Sequence, residues 1–294
     1  MSAQIDSTDM QAVFAKPRHD GCFEGALLQY ARRISNLRRI IVLAFPPKAA
    51  STFLCQAATY AVDGQHVRTP YALGGRDGSF YLPTIMVSFL DRSSPITVTH
   101  IHMQAFNSNR HFIEAFNLKP VIMIRSIPDA LASFCDMMDS TEQLRIDGFQ
   151  CVIPPDFLDM DRETKINFIV DMFAPWYVSY YASWKSYVDC APERICVLHY
   201  DEFREDPADC LHRAVVHSGL SITKSKCEES VERARSEREQ LKYNKGVGGR
   251  GKEYFSQAHL MRIASMLAYY PQLKPWMSEL MGVAKTPVAY LAQR

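Results

Sequence analysis

The chain has 294 residues, 47% hydrophobic and 22% charged, with 33 Lys and Arg against 32 Asp and Glu and a formal net charge of +1. This is the composition of a globular protein, not of a disordered or fibrous one. A single unit of net charge excludes gripping nucleic acid or an anionic membrane by bulk charge, so any anion must be held locally.

Residues 1–20 read as a flexible polar tail without the apolar stretch of a secretory signal. Residues 21–294 read as one α/β domain, since single cores grow to roughly 250 to 300 residues and no repeat or second linker intervenes. A short helical pattern covers residues 24–35. The apolar, β-branched run at 39–45 ends in Pro46 and Pro47 and predicts a buried parallel strand, and small apolar residues at 51–62 predict the helix after it. Strands are expected again at 96–103 and 120–125, the second feeding a helix to about residue 139 that starts at Ser126, Pro128 and Asp129. An aromatic-rich helix is expected over 166–189, broken or kinked at Pro175, followed by a strand at 194–200. The remaining expected helices cover 206–219, the charged stretch 224–242, and 256–281 with interruptions at Pro271 and Pro275. Residues 63–95 and 136–165 are rich in Gly, Pro and Asp and read as long loops.

The eight cysteines form no CxxC pair and no zinc-ribbon spacing, which fits reduced thiols. No run approaches the roughly 18 apolar residues of a spanning helix, so a soluble cytoplasmic protein without a transmembrane segment is expected. Strands alternating with helices imply a mostly parallel sheet of about five strands covered on both faces. Ligands then bind beyond the strands' carboxyl ends.

Three segments carry chemistry. In Pro47-Lys48-Ala49-Ala50-Ser51-Thr52-Phe53, small side chains let backbone amides converge on an anion at a helix N-terminus, Lys48 adds a full charge, and Ser51 and Thr52 add hydroxyls. Arg125 ends an apolar strand, and Ser133, eight residues on, can reach the same phosphate unless Arg125 simply pairs with Asp129. Around Gly246, Gly251 and Lys252 the spacing GxxxxGK imitates an ATP-binding loop. Glu253, however, stands where a magnesium-holding Ser or Thr is required, so a flexible basic loop is the better reading.

In this order and spacing the segments resemble the sulfotransferases that use 3'-phosphoadenosine 5'-phosphosulfate (PAPS). Residues 47–53 resemble the family's phosphosulfate loop. Arg125 to Ser133 resembles its 3'-phosphate motif, Tyr200-Asp-Glu-Phe203 with Pro207 and Gly219 its tyrosine motif, and Asn244 to Lys252 its C-terminal loop. Ala50 replaces the loop glycine, which requires a negative φ there, and Asn244 and Gly251 replace an Arg and a Trp. Grip on the 3'-phosphate by the last loop would rest on Lys245, the Gly246 amide and either Arg250 or Lys252.

The resemblance implies a P-loop nucleotide-kinase-like sulfotransferase fold, PAPS as donor, 3'-phosphoadenosine 5'-phosphate (PAP) as product, and no required metal. His100 matches the family's base after a Thr, with His102 as runner-up on the same strand face. The pair His100 and His102 also has the form of a metal-binding HxH, but spacing places no third ligand. Lys48 and the amides of Ala49, Ala50, Ser51 and Thr52 would neutralise the 5'-phosphosulfate, Arg125 and Ser133 would hold the 3'-phosphate, and Phe53 and Tyr200 would line the adenosine site. The acceptor is a hydroxyl of a small molecule, lipid or carbohydrate, nucleic acid is excluded, and a homodimer is left open. Tyr71, Phe80, Tyr81, Phe89, Trp176, Tyr177 and Tyr180 offer either an apolar acceptor pocket or ordinary core. The rival readings are a non-catalytic nucleotide-binding protein of the same fold and a P-loop-type phosphotransferase.

Overall fold

The computed structural model describes residues 39–67, 78–81, 85, 96–139, 147–148, 151–237 and 249–283. The tail and the expected helix at 24–35 lie outside them. Strand β1 (Arg39–Leu43) buries everything after Arg39. It leads through a loop into α1 (Ser51–Ala61) and then a two-residue strand, β2 (Gln65–His66). β3 (Ile96–His100), α2 (Asn107–Ala115), β4 (Val121–Ile124) and α3 (Ile127–Asp139) continue the alternation. A small antiparallel ribbon of β5 (Asp147–Gly148) and β6 (Cys151–Val152) precedes α4 (Arg162–Cys190). β7 (Cys196–His199) runs directly into α5 (Tyr200–Glu205), α6 (Pro207–His217) and α7 (Lys224–Ser236). Then come α8 (Gly251–Tyr254), α9 (Gln257–Ala268), a 3-10 stretch (Pro271–Trp276) and α10 (Met277–Leu280).

The central sheet has the order β2-β3-β1-β4-β7 and every neighbouring pair is parallel. Period-2 alternation divides each strand between two apolar layers. Ile40, Val42, Ile122 and Ile124 join the layer with α3 and α4 residues, whereas Ile41, Leu43, Val121, Met123 and Leu198 join the layer with α1, α6 and α7 residues. Both faces are therefore dry, and the open end of the sheet is its carboxyl edge around the central β1.

Helix α4 fixes that edge. It begins at Arg162, four residues before the expected start at 166, behind an Asp161 cap that accepts the Thr164 amide at 3.0 Å, and it continues through Pro175 as one element. Its buried face sends the Tyr180 hydroxyl to the Ala44 carbonyl, the Tyr181 hydroxyl to the Arg125 carbonyl at 2.8 Å and the Trp184 indole N–H to the Met103 carbonyl at 2.9 Å. Those carbonyls lie just beyond β1, β4 and β3, past the strand ladders, and need buried partners. Within the expected long loop at 136–165 the described residues form the end of α3, the small ribbon and the first turn of α4. β2 likewise lies inside the expected loop at 63–95. Among the described residues no helix is long and apolar enough to cross a membrane.

Candidate active site

The loop after β1 turns on two left-handed residues, Lys48 at φ 62° and Ala50 at φ 58°. The expectation that Ala50 keeps a negative φ is overturned, and an L-alanine stands where glycine would be unstrained. Ala50 is also the N-cap of α1. It supplies no side-chain cap, and no acidic residue occupies the helix's first turn. The positive end of the helix dipole is therefore not offset by any carboxylate of its own. The loop is braced from beneath. The Ala44 amide donates to the Val121 carbonyl at 2.8 Å, the Tyr177 hydroxyl donates to the Pro47 carbonyl at 3.0 Å, and the Ala49 side chain is fully buried. Ser51 is buried, while Lys48 and Thr52 are half-buried at the mouth of the turn.

Arg125, one residue past β4, is 6% exposed, and its guanidinium lies 4.1 Å from the Tyr200 ring centroid. One guanidinium nitrogen donates to the Lys48 carbonyl, so the arginine is tied to the loop that carries the lysine. Its Nε is buried and has no hydrogen-bond partner among the described residues. A buried cation with donor capacity to spare suits an anion better than a structural ion pair. Phe53 packs edge-on to Phe203 at 5.9 Å, and Phe203 packs on Tyr200 at 6.0 Å, which makes one aromatic wall from the two expected adenosine-site residues. Ser133 is buried on α3 in the turns after Arg125. The alternative pairing of Arg125 with Asp129 is replaced by another. The Asp129 carboxylate accepts the Gly249 amide at 2.8 Å and the Gly251 amide at 2.7 Å.

That contact seats the C-terminal segment on α3. A Cβ at Gly251 would lie 2.4 Å from the Pro128 Cβ, so this close approach requires glycine. Arg250 is engaged by Asp136 at 2.7 Å, and Lys252 is exposed. Lys245 and Gly246 lie outside the described residues, as do Tyr71 and Phe89.

His100 ends β3, in register with Leu43 at the end of β1, and is 2% exposed. His102 is 8% exposed, and its Nδ1 lies 2.8 Å from the Phe45 carbonyl, which fixes Nδ1 as the protonated nitrogen. The His100 ring stacks on that of His66 with centroids 5.2 Å apart and 14° between planes. Trp176, Tyr177 and Tyr180 are buried, in agreement with the core reading rather than the acceptor-pocket one. Two contributors escaped the sequence: Tyr177, whose hydroxyl reaches the Pro47 carbonyl across 130 positions, and Asp129, which looked like a helix-start acid and instead holds a distant loop.

No family model and no curated protein matches the sequence. Solved structures do match in fold. Mouse sulfotransferase SULT7A1 complexed with PAP aligns with a TM-score of 0.58 at 13% identity, covering 86% of this chain and 92% of that one. Retinol dehydratase in a complex with retinol and PAP aligns with a TM-score of 0.50 at 11% identity, covering 84% and 86%. At such identities the likeness establishes the fold, a mostly parallel five-stranded sheet flanked by helices. The chemistry has to be argued from the residues of this chain.

Proposed function

We propose that this chain is a sulfotransferase that takes a sulfuryl group from PAPS and delivers it to a hydroxyl of a small organic acceptor. One observation carries the reading. The carboxyl edge of β1 gathers an uncapped helix N-terminus, Lys48, and a buried arginine stacked on Tyr200 with an unused donor, all beside a histidine in register with Leu43. The donor set suits two separate anionic groups, and solved neighbours of this fold are PAP complexes.

When bound, the nucleotide supplies the sulfuryl group for in-line displacement. Lys48 and the amides of residues 49–52 would neutralise charge at the 5' end, and Arg125 with Ser133 would hold the 3'-phosphate that distinguishes this donor from ATP. Phe53 and Tyr200 would border the base. His100 removes the acceptor proton, and Lys48 positions and neutralises. The runner-up base, His102, is already oriented by Phe45. The family pattern would assign Lys245 and the Gly246 amide to the 3'-phosphate as well, whereas Arg250 is taken by Asp136. The retinol held by the second solved neighbour favours an apolar alcohol as acceptor class.

Isothermal calorimetry of the full chain with PAP, ATP and ADP tests the reading, with PAP expected to bind most tightly. Tighter binding of ATP than of PAP would sink it. PAP binding without transfer to any of a panel of alcohols and phenols would move the conclusion to the non-catalytic alternative.

A further inference from the structure

The site holds a second chemistry that residue spacing hides. The side chains of Cys55 on α1, His66 on β2 and His100 on β3 place one sulfur and two imidazole nitrogens within 4.8 Å of one another. Cys55 is 2% and His100 2% exposed, whereas His66 is exposed on the edge strand. One sulfur and two imidazoles from a buried floor and a solvent-facing arm match the borderline-soft ligand set that selects Zn2+ over Mg2+ or Ca2+.

The geometry points to a Zn2+ site formed by Cys55, His66 and His100, one whose occupation switches off the proposed transfer reaction by capturing its base. Zinc–ligand distances of about 2.0 to 2.3 Å put tetrahedral ligand atoms roughly 3.3 to 3.8 Å apart, so the three atoms must close by about 1 Å. His66 can supply that motion because it stands in a two-residue edge strand, bonded on one side only to β3. The rings of His66 and His100 now lie face to face, and rotation of the exposed one turns its lone pair toward the buried one's. Binding releases the Cys55 thiol proton to solvent and leaves a fourth position for water. Once His100 donates its lone pair to the metal, that pair no longer accepts a proton from an acceptor hydroxyl. This inhibitory consequence rests on the proposed function, while the metal site itself does not.

The test uses the full chain stripped with a chelator. Zn2+ is titrated in competition with a chromophoric chelator, and Co2+ is added as a spectroscopic probe. One Zn2+ per chain is expected, with a thiolate-to-cobalt charge-transfer band. Cys55→Ser should abolish that band, and His66→Ala should weaken Zn2+ at least about tenfold, the usual scale for losing metal-site support. Since His66 is exposed, its variant keeps the test independent of folding. No Zn2+ uptake by the wild type, or wild-type affinity retained in both variants, overturns the site whether or not any acceptor is ever sulfated. In a transfer assay, a half-inhibiting zinc concentration at least about tenfold higher for His66→Ala than for wild type supports base capture. Equal inhibition of the two overturns it. Failure of every acceptor to be sulfated would count against the proposed function and leave the binding result standing.

Discussion

At position 50 the fold demands of an alanine a backbone angle that glycine adopts without strain. A left-handed L-residue costs roughly 1 to 2 kcal/mol, partly offset in the glycine variant by greater unfolded-state entropy. Ala50→Gly should therefore be neutral or stabilising by up to about 1 kcal/mol, and Ala50→Val, with a branched Cβ, should destabilise by about 1 to 2 kcal/mol. Urea melts of the two variants check both signs. The two histidines separate by kinetics. His100→Ala should lower kcat by at least about 100-fold with PAP affinity nearly unchanged. The same pattern in His102→Ala with an active His100→Ala would transfer the role to His102. Lys48 and Arg125 stand out in the sequence as charged groups following apolar runs, whereas Thr99-His100 is singled out only by its resemblance to the sulfotransferase pattern. The φ of Ala50 was not, because a small residue is compatible with either sign until the loop's ends are fixed.

Two elements act as braces for the site. Helix α4 satisfies the carbonyls of residues 44, 47, 103 and 125 from one face, and its register with the sheet sets the shape of the carboxyl edge. Tyr177→Phe would leave the buried Pro47 carbonyl short of its partner, at a cost of about 1 to 3 kcal/mol. Thermal denaturation and PAP affinity should fall together. Helix α3 carries the other brace, Asp129, and Gly251 leaves no room between the segments. Gly251→Ala should destabilise the contact by at least about 1 to 3 kcal/mol and weaken PAP while leaving α4 intact. Hydrogen exchange of the Gly249 and Gly251 amides would show the release directly. The helical period exposed α4 as an aromatic-rich helix, yet not where its hydroxyls go, because a hydroxyl's partner is set by packing of elements far apart in sequence. Pro175 suggested a break or a kink because it removes one amide. In the structure the helix passes through it, anchored on both sides by buried aromatic residues.

For the molecule as a whole, burial sets an alkaline limit. It pushes the thiols of Cys135 and Cys210 up to about 12 and those of Cys196 and Cys227 up to about 11. Unfolded thiols titrate near about 8.5, so the native state holds these protons more tightly. The stability they contribute is fully present below about pH 8.5 and is lost as pH rises toward 11 to 12. The urea midpoint should fall steadily above about pH 9, and Cys135→Ala should flatten part of that slope. Exposed Cys190 should be alkylated before these four in the native protein, which mass spectrometry can order.

The alternation of apolar strands and helices, the small-residue turn after β1, the arginine just past β4 and the histidine after Thr99 can all be read from the linear chain. Each of these is written in contiguous residues whose periodicity or charge is local. That His66 and Cys55 stand beside His100 follows from tertiary packing alone. A two-residue strand carries no period to detect, and it is parallel pairing across a sheet that brings position 66 next to position 98. The +1 balance of the whole chain likewise gave no hint of where charge gathers, because folding sets the local field by bringing Lys48 and Arg125 together at one strand edge.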